Sequence, residues 1–129
     1  MAKLFFHFST MNAGKSTSLL QASHNYREGG MQTYLITAQF DNRAGEGRIA
    51  SRIGIGEPAD TFGPGEDLFE KLKSRFATGP VACVFIDEAQ FLSKEQVWQL
   101  ACAVDDLNVP VMCYGLRADG PWDPRHGRR

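Results

Sequence analysis

A nine-residue stretch, Ser9-Thr10-Met11-Asn12-Ala13-Gly14-Lys15-Ser16-Thr17, joins an aromatic-rich apolar run to a segment with helical spacing, and it contains Gly-Lys-Ser. Residues 3–8 read as a strand. Residues 16–27 read as a helix, with Leu19, Leu20 and Ser23/His24 at helical spacing and Gly29-Gly30 stopping it. A strand that passes into a helix through such a loop gathers backbone N–H groups around an anion, because Gly14 permits the bend and the helix N-terminus adds partial positive charge. Lys15 would then reach the β- and γ-phosphates of a nucleoside triphosphate, and the Ser16 hydroxyl would ligate Mg²⁺. The usual pattern has glycine at the first position, where this chain has Ser9, so the strand-to-helix context carries the reading. The alternative is a surface turn that contains Gly-Lys-Ser by coincidence.

The rest of the chain supplies a setting for that loop. With 129 residues, 43% of them hydrophobic, there is material for one domain around one core. Residues 31–39, with Thr33 to Thr37 suited to a pleated buried surface, read as a second strand. Residues 41–65 shift to Gly, Arg, Pro and Asp and read as loop. Residues 66–76 carry Leu68, Phe69, Leu72 and Phe76 on one helical face, and Thr78-Gly79-Pro80 ends that helix. Residues 81–86 form a continuous apolar run, as expected of a parallel strand buried on both faces. Ser93 is placed to cap a helix whose buried stripe is Val97, Leu100, Ala101 and Val104, and residues 109–116 supply a fourth strand. The alternation predicts an α/β fold with a largely parallel sheet flanked by helices.

Charge and cysteine usage exclude several classes of function. Fourteen Lys and Arg against 15 Asp and Glu leave a net charge of -1, which gives no general attraction to nucleic acid or an anionic membrane. The apolar run after Met1 is too brief for a signal peptide or a membrane span, so a cytoplasmic location is expected. Cys83, Cys102 and Cys113 lack C-x-x-C spacing and fall in apolar segments, and they read as three reduced core thiols.

A second constellation is Val84-Phe85-Ile86-Asp87-Glu88, an apolar strand ending in two acids. Ligands of parallel sheets bind beyond the carboxyl ends of the strands, so Asp87 would emerge beside the phosphate loop and hold Mg²⁺ through water. Glu88 would face the substrate side as a proton acceptor. Acids also end buried strands simply because the chain is returning to water.

Together, Met11 to Thr17, Asp87-Glu88-Ala89-Gln90-Phe91-Leu92, Ser51-Arg52-Ile53-Gly54 and Cys113-Tyr114-Gly115-Leu116-Arg117 resemble the type II thymidine kinases, the bacterial branch most closely. The resemblance runs from about residue 4 to residue 119. It implies a P-loop NTPase-like fold and transfer of the γ-phosphoryl group of ATP, with Mg²⁺, to the 5′-hydroxyl of deoxythymidine. It also implies Glu88 as general base, with an ATP site lined by Ser9, Thr10, Met11, Asn12, Ala13, Gly14, Lys15, Ser16 and Thr17 and by Asp87, Ala89 and Gln90. Arg43 matches a position that contacts phosphates, its other reading being a solvated loop arginine. Phe91 resembles the base-side aromatic, a plain core role being the other reading, and Leu116 falls on the substrate side. A homotetramer is typical of the family.

The family continues with a further helix, a further strand and a four-cysteine zinc module whose lasso loop closes over thymidine. Residues 120–129, rich in Gly, Pro and Arg, bear no resemblance to that continuation, and no cysteine follows Cys113. The expectation is a nucleotide-binding domain over residues 1–119 and an unstructured tail over 120–129, from a truncated or frame-shifted product without structural zinc. Weak or absent thymidine kinase activity by this chain alone is also expected. The rival readings are a non-catalytic ATP-binding fragment and a different P-loop ATPase in which Glu88 activates water.

Overall fold

The structure, a computed structural model, describes residues 2–9, 15–38, 48–50 and 56–116. In chain order the elements are β1 (Leu4–Ser9), α1 (Lys15–Glu28), β2 (Thr33–Ala38), β3 (Arg48–Ala50), β4 (Gly56–Pro58), β5 (Asp60–Phe62), α2 (Leu68–Phe76), β6 (Cys83–Ile86), a 3₁₀ turn (Ala89–Phe91), α3 (Lys94–Leu107) and β7 (Val111–Leu116). Five strands form one parallel sheet in the order β1-β7-β6-β2-β5. Among the described residues, no helix is long and apolar enough to cross a membrane.

Two apolar clusters account for the layering. All four residues of β6 are fully buried, as a strand covered on both faces must be. Alternation then sends Val84 and Ile86 into one cluster with Leu68 and Leu72 of α2 and Leu100, Ala103 and Val104 of α3. Cys83 and Phe85 join the other cluster with Leu19 and Leu20 of α1 and Tyr114 of β7. Consequently α1 covers one face while α2 and α3 cover the other. Because β1 leads into α1 and β6 leads into α3, the chain leaves these strands toward opposite faces and opens a crevice at their carboxyl ends. β7 lies between them and ends there.

Three expectations are corrected. Residues 41–65 hold three short strands where only loop was expected, so the main sheet has five strands and not four. Strands of three residues carry too little periodicity to be read locally. β5 forms by pairing with β2, Ile36 opposite Asp60 through Ala38 opposite Phe62, and by burying Phe62. In α3 the buried residues are Gln96, Leu100, Ala103 and Val104, while Val97 and Ala101 are only half-buried. Of the three free cysteines, Cys83 and Cys113 are buried, but Cys102 is half-buried on α3. The Ser93 cap forms as expected, as a full capping box with Gln96. The tail at 120–129 lies outside the described residues.

Gln96 does more than cap. Its Nε2 donates to the carbonyls of Gly63 at 2.9 Å and Glu66 at 3.1 Å, while its Oε1 accepts from the Ser93 backbone N–H at 3.0 Å. These bonds fasten the β5–α2 connection to the start of α3 at a side chain only 1% exposed. Gln96→Leu fills the same space but strands three backbone groups. It should lower unfolding free energy by about 2–4 kcal/mol in urea titration, and a loss under about 0.5 kcal/mol would contradict this bonding.

Burial also sets an alkaline limit on stability. It pushes the Cys83 thiol up from 9.0 to about 11 and raises Cys113, Tyr26, Tyr34 and Tyr114 above their ordinary values. Each raised group keeps its proton in the folded chain after the unfolded chain has released it. The Cys83 contribution is therefore complete below about pH 9 and is lost as pH rises through about 11, while Cys113 and Tyr34, raised further, extend the loss to higher pH. The urea midpoint should fall continuously across that window, and a flat midpoint would contradict the assignment.

Candidate active site at the carboxyl ends of the strands

The site is assembled by strand register. Ser9 at the end of β1 pairs with Leu116 at the end of β7, and Ile86 at the end of β6 pairs with Cys113 of β7. Asp87 continues β6 by one residue, its backbone N–H donating to the Ile36 carbonyl at 2.8 Å. Ser9, Leu116 and Asp87 thus emerge at one edge of the sheet. α1 begins at that edge with Lys15 and Ser16 as its first two residues, and half-buried Thr17 is its third. Thr10, Met11, Asn12, Ala13, Gly14 and Arg43 lie outside the described residues, as do the side chains of Lys15 and Ser16.

The acid pair is held in an unusual backbone. Asp87 is 3% exposed, and its Oδ1 accepts the Glu88 backbone N–H at 2.9 Å. Glu88 is half-buried and adopts the left-handed conformation, φ 58° and ψ 43°. For a residue with a side chain that conformation costs about 1–2 kcal/mol, so the surroundings must impose it. They do so through the 3₁₀ turn that follows, in which Phe91 N–H donates to the Glu88 carbonyl at 3.1 Å and Leu92 N–H to that of Ala89 at 3.1 Å. Ala89 and Leu92 are buried in the core beneath, and Ala89 therefore meets the site by its backbone while its methyl group packs inward.

Gln90 joins this turn to β7. Its Nε2 donates to Glu88 Oε1 at 2.8 Å, and its Oε1 accepts the Leu116 backbone N–H at 3.0 Å. Gly115 makes room for the link: a Cβ there would lie 2.4 Å from Phe8 Cε1 and 3.0 Å from Gln90 Oε1. Phe91 is 49% exposed, which does not fit a core role.

Chemically, the edge combines a helix N-terminus, a phosphate-loop sequence and two carboxylates. Asp87 offers a hard oxygen donor of the kind that suits Mg²⁺, an ion commonly held by one or two protein oxygens with the rest from water and phosphate. Among the described residues no group of three or more His, Cys, Asp or Glu could hold a metal ion by itself. A groove of about 570 Å³ lies elsewhere, between β2, β5 and α2. There Asp60, Glu66, Asp67 and Glu70 outnumber Lys71 and Arg75, which disfavours a triphosphate.

Comparison with known proteins agrees with the motifs along nearly the whole chain. The family model described as thymidine kinase matches residues 2–122. Over 119 residues the chain is 72% identical to a thymidine kinase of Ruegeria pomeroyi, 68% to one of Jannaschia sp. and 62% to one of Agrobacterium fabrum. Each alignment covers 92% of this chain and 60%, 61% and 62% of the respective relative, so the chain spans about three-fifths of their length. With the strand ends, the helix start and the acid pair arranged as described, and with this match across its length, the chain belongs to the thymidine kinase family.

Proposed function

We propose that this chain carries the phosphoryl-transfer half of a thymidine kinase, moving the γ-phosphoryl group of ATP to the 5′-hydroxyl of deoxythymidine. The observation that carries the reading is the Glu88 carboxylate, fixed at the carboxyl edge of β6 beside the ends of β1 and β7 and the first turn of α1. The names of the relatives support the choice of acceptor.

Each step falls to residues of that edge. The backbone of residues 9–16 and Lys15 hold the β- and γ-phosphates, and the N-terminus of α1 adds favourable potential. Asp87 and Ser16 would hold Mg²⁺, which when bound neutralises charge on the phosphates. Glu88 accepts the proton of the 5′-hydroxyl as its oxygen bonds to the γ-phosphorus, the bond to the β-phosphate oxygen breaks, and ADP leaves. Arg43 adds a further cation to the phosphates, Phe91 and Leu116 face the nucleoside, and Gln90 and Ala89 border the nucleotide. The domain limits of 1–119 and 120–129, a cytoplasmic location and self-association as a tetramer belong to the same proposal. The partial exposure of Phe5 and Phe6 on the outer strand β1, at 40% and 38%, supports association.

A Mg-ATP turnover assay with thymidine, other nucleosides or none tests the reading. Slow, thymidine-dependent formation of ADP and thymidine monophosphate is expected. Glu88→Gln should reduce the transfer rate by about 10²–10⁴-fold while ATP binding persists. Lys15→Ala should weaken ATP binding by at least about tenfold. Hydrolysis that ignores nucleoside would make the chain a water-activating ATPase, and binding without turnover would make it a nucleotide-binding fragment.

A further inference from the structure

Gln90 connects two parts of the site that the chain brings together from 26 residues apart. The orientation of its amide is forced by its neighbours, since a carboxylate only accepts and a backbone N–H only donates. Bonded at both ends, a planar amide has little freedom left about its last side-chain torsion. The turn that carries it is anchored separately, by the burial of Ala89 and Leu92. The Gln90 side chain is therefore a strut between that anchored turn and the end of β7, with the Glu88 carboxylate attached to it. Gly115 keeps the path of the strut clear, as a Cβ there would press on Gln90 Oε1 and collide with the Phe8 ring.

We propose that Gln90 is a positioning residue for phosphoryl transfer: acting through Glu88, it aims the carboxylate and ties that aim to the position of Leu116. The inference rests on Glu88 being the base, as proposed above. General-base catalysis needs the carboxylate within hydrogen-bond reach of the hydroxyl it serves, and the Gln90 amide fixes the direction in which one of its oxygens is held. The strut also makes the base responsive to the end of β7. A shift of Leu116 pulls on Gln90 Oε1 and so on the carboxylate at its other end.

Two variants of the full chain separate this role from simple loop support. Gln90→Met removes both bonds at similar volume. Gln90→Glu keeps an acceptor for the Leu116 N–H but sets a second carboxylate against Glu88. In steady-state assays both should lose about 10- to 100-fold in kcat, a larger change than in KM for ATP. In NMR of the ligand-free chain, the Leu116 amide should exchange about tenfold faster or more in Gln90→Met and at nearly the wild-type rate in Gln90→Glu. The side-chain carboxyl carbon of Glu88 should move in both variants. Wild-type kcat in Gln90→Glu would overturn the proposal, because a role limited to holding the turn against β7 gives that result. Unchanged Leu116 exchange and an unmoved Glu88 resonance in Gln90→Met would overturn it as well. Absence of transfer by the wild-type chain would instead overturn the functional reading, and the NMR arm, which needs no turnover, then decides the strut by itself.

Discussion

Everything at the candidate site depends on the burial of four successive residues, Cys83, Val84, Phe85 and Ile86, in the interior of a parallel sheet. A strand covered on both faces and paired on both sides has no freedom to slide, since a shift of one residue would exchange the clusters into which its side chains point. The first residues after it therefore reach solvent at a fixed height, and those residues are Asp87 and Glu88. The same pairing fixes Leu116 through Cys113 of β7, and Leu116 in turn is in register with Ser9. Three strand ends and one helix start meet at this edge because the core permits a single register.

The left-handed Glu88 is where that order is followed by local strain. Its backbone costs about 1–2 kcal/mol, and what offsets it is local: the Asp87 carboxylate on the Glu88 N–H, the 3₁₀ turn behind it, and Ala89 and Leu92 sunk in the core. The result turns the chain sharply, so that two adjacent acids have different surroundings. Asp87 stays nearly buried, while the half-buried Glu88 side chain is taken up by Gln90. In the phosphoryl transfer proposed above, the protein would contribute chiefly position and electrostatics, which is what geometry of this kind supplies.

Much of this was legible from sequence because it rests on local patterns. The unbroken apolar run before Asp87, the Ser93 cap and the helical spacing that follows Lys15 each state their structure within a few residues. Strand order was not legible, because β7 slips between β1 and β6 through contacts distant in the chain. β5 escaped notice because three residues, Asp60 to Phe62, become a strand only against β2. The role of Gln96 was not legible, since nothing local announces that Gly63 and Glu66 will offer it carbonyls. Gln90 belonged to a recognisable motif, but its link to Leu116 depends on β7 arriving beside it.

If, as proposed, the carboxyl ends of β1, β6 and β7 and the start of α1 form one ATP-binding edge, titrating Mg-ATP into the isotopically labelled chain will move the backbone amide resonances of Ser9, residues 15–17, Asp87 to Gln90 and Leu116, and leave Lys3 and Asn108 at the opposite edge unmoved. Shifts centred on the groove around Tyr34 and Asp60, or on the Lys3 edge, would contradict it.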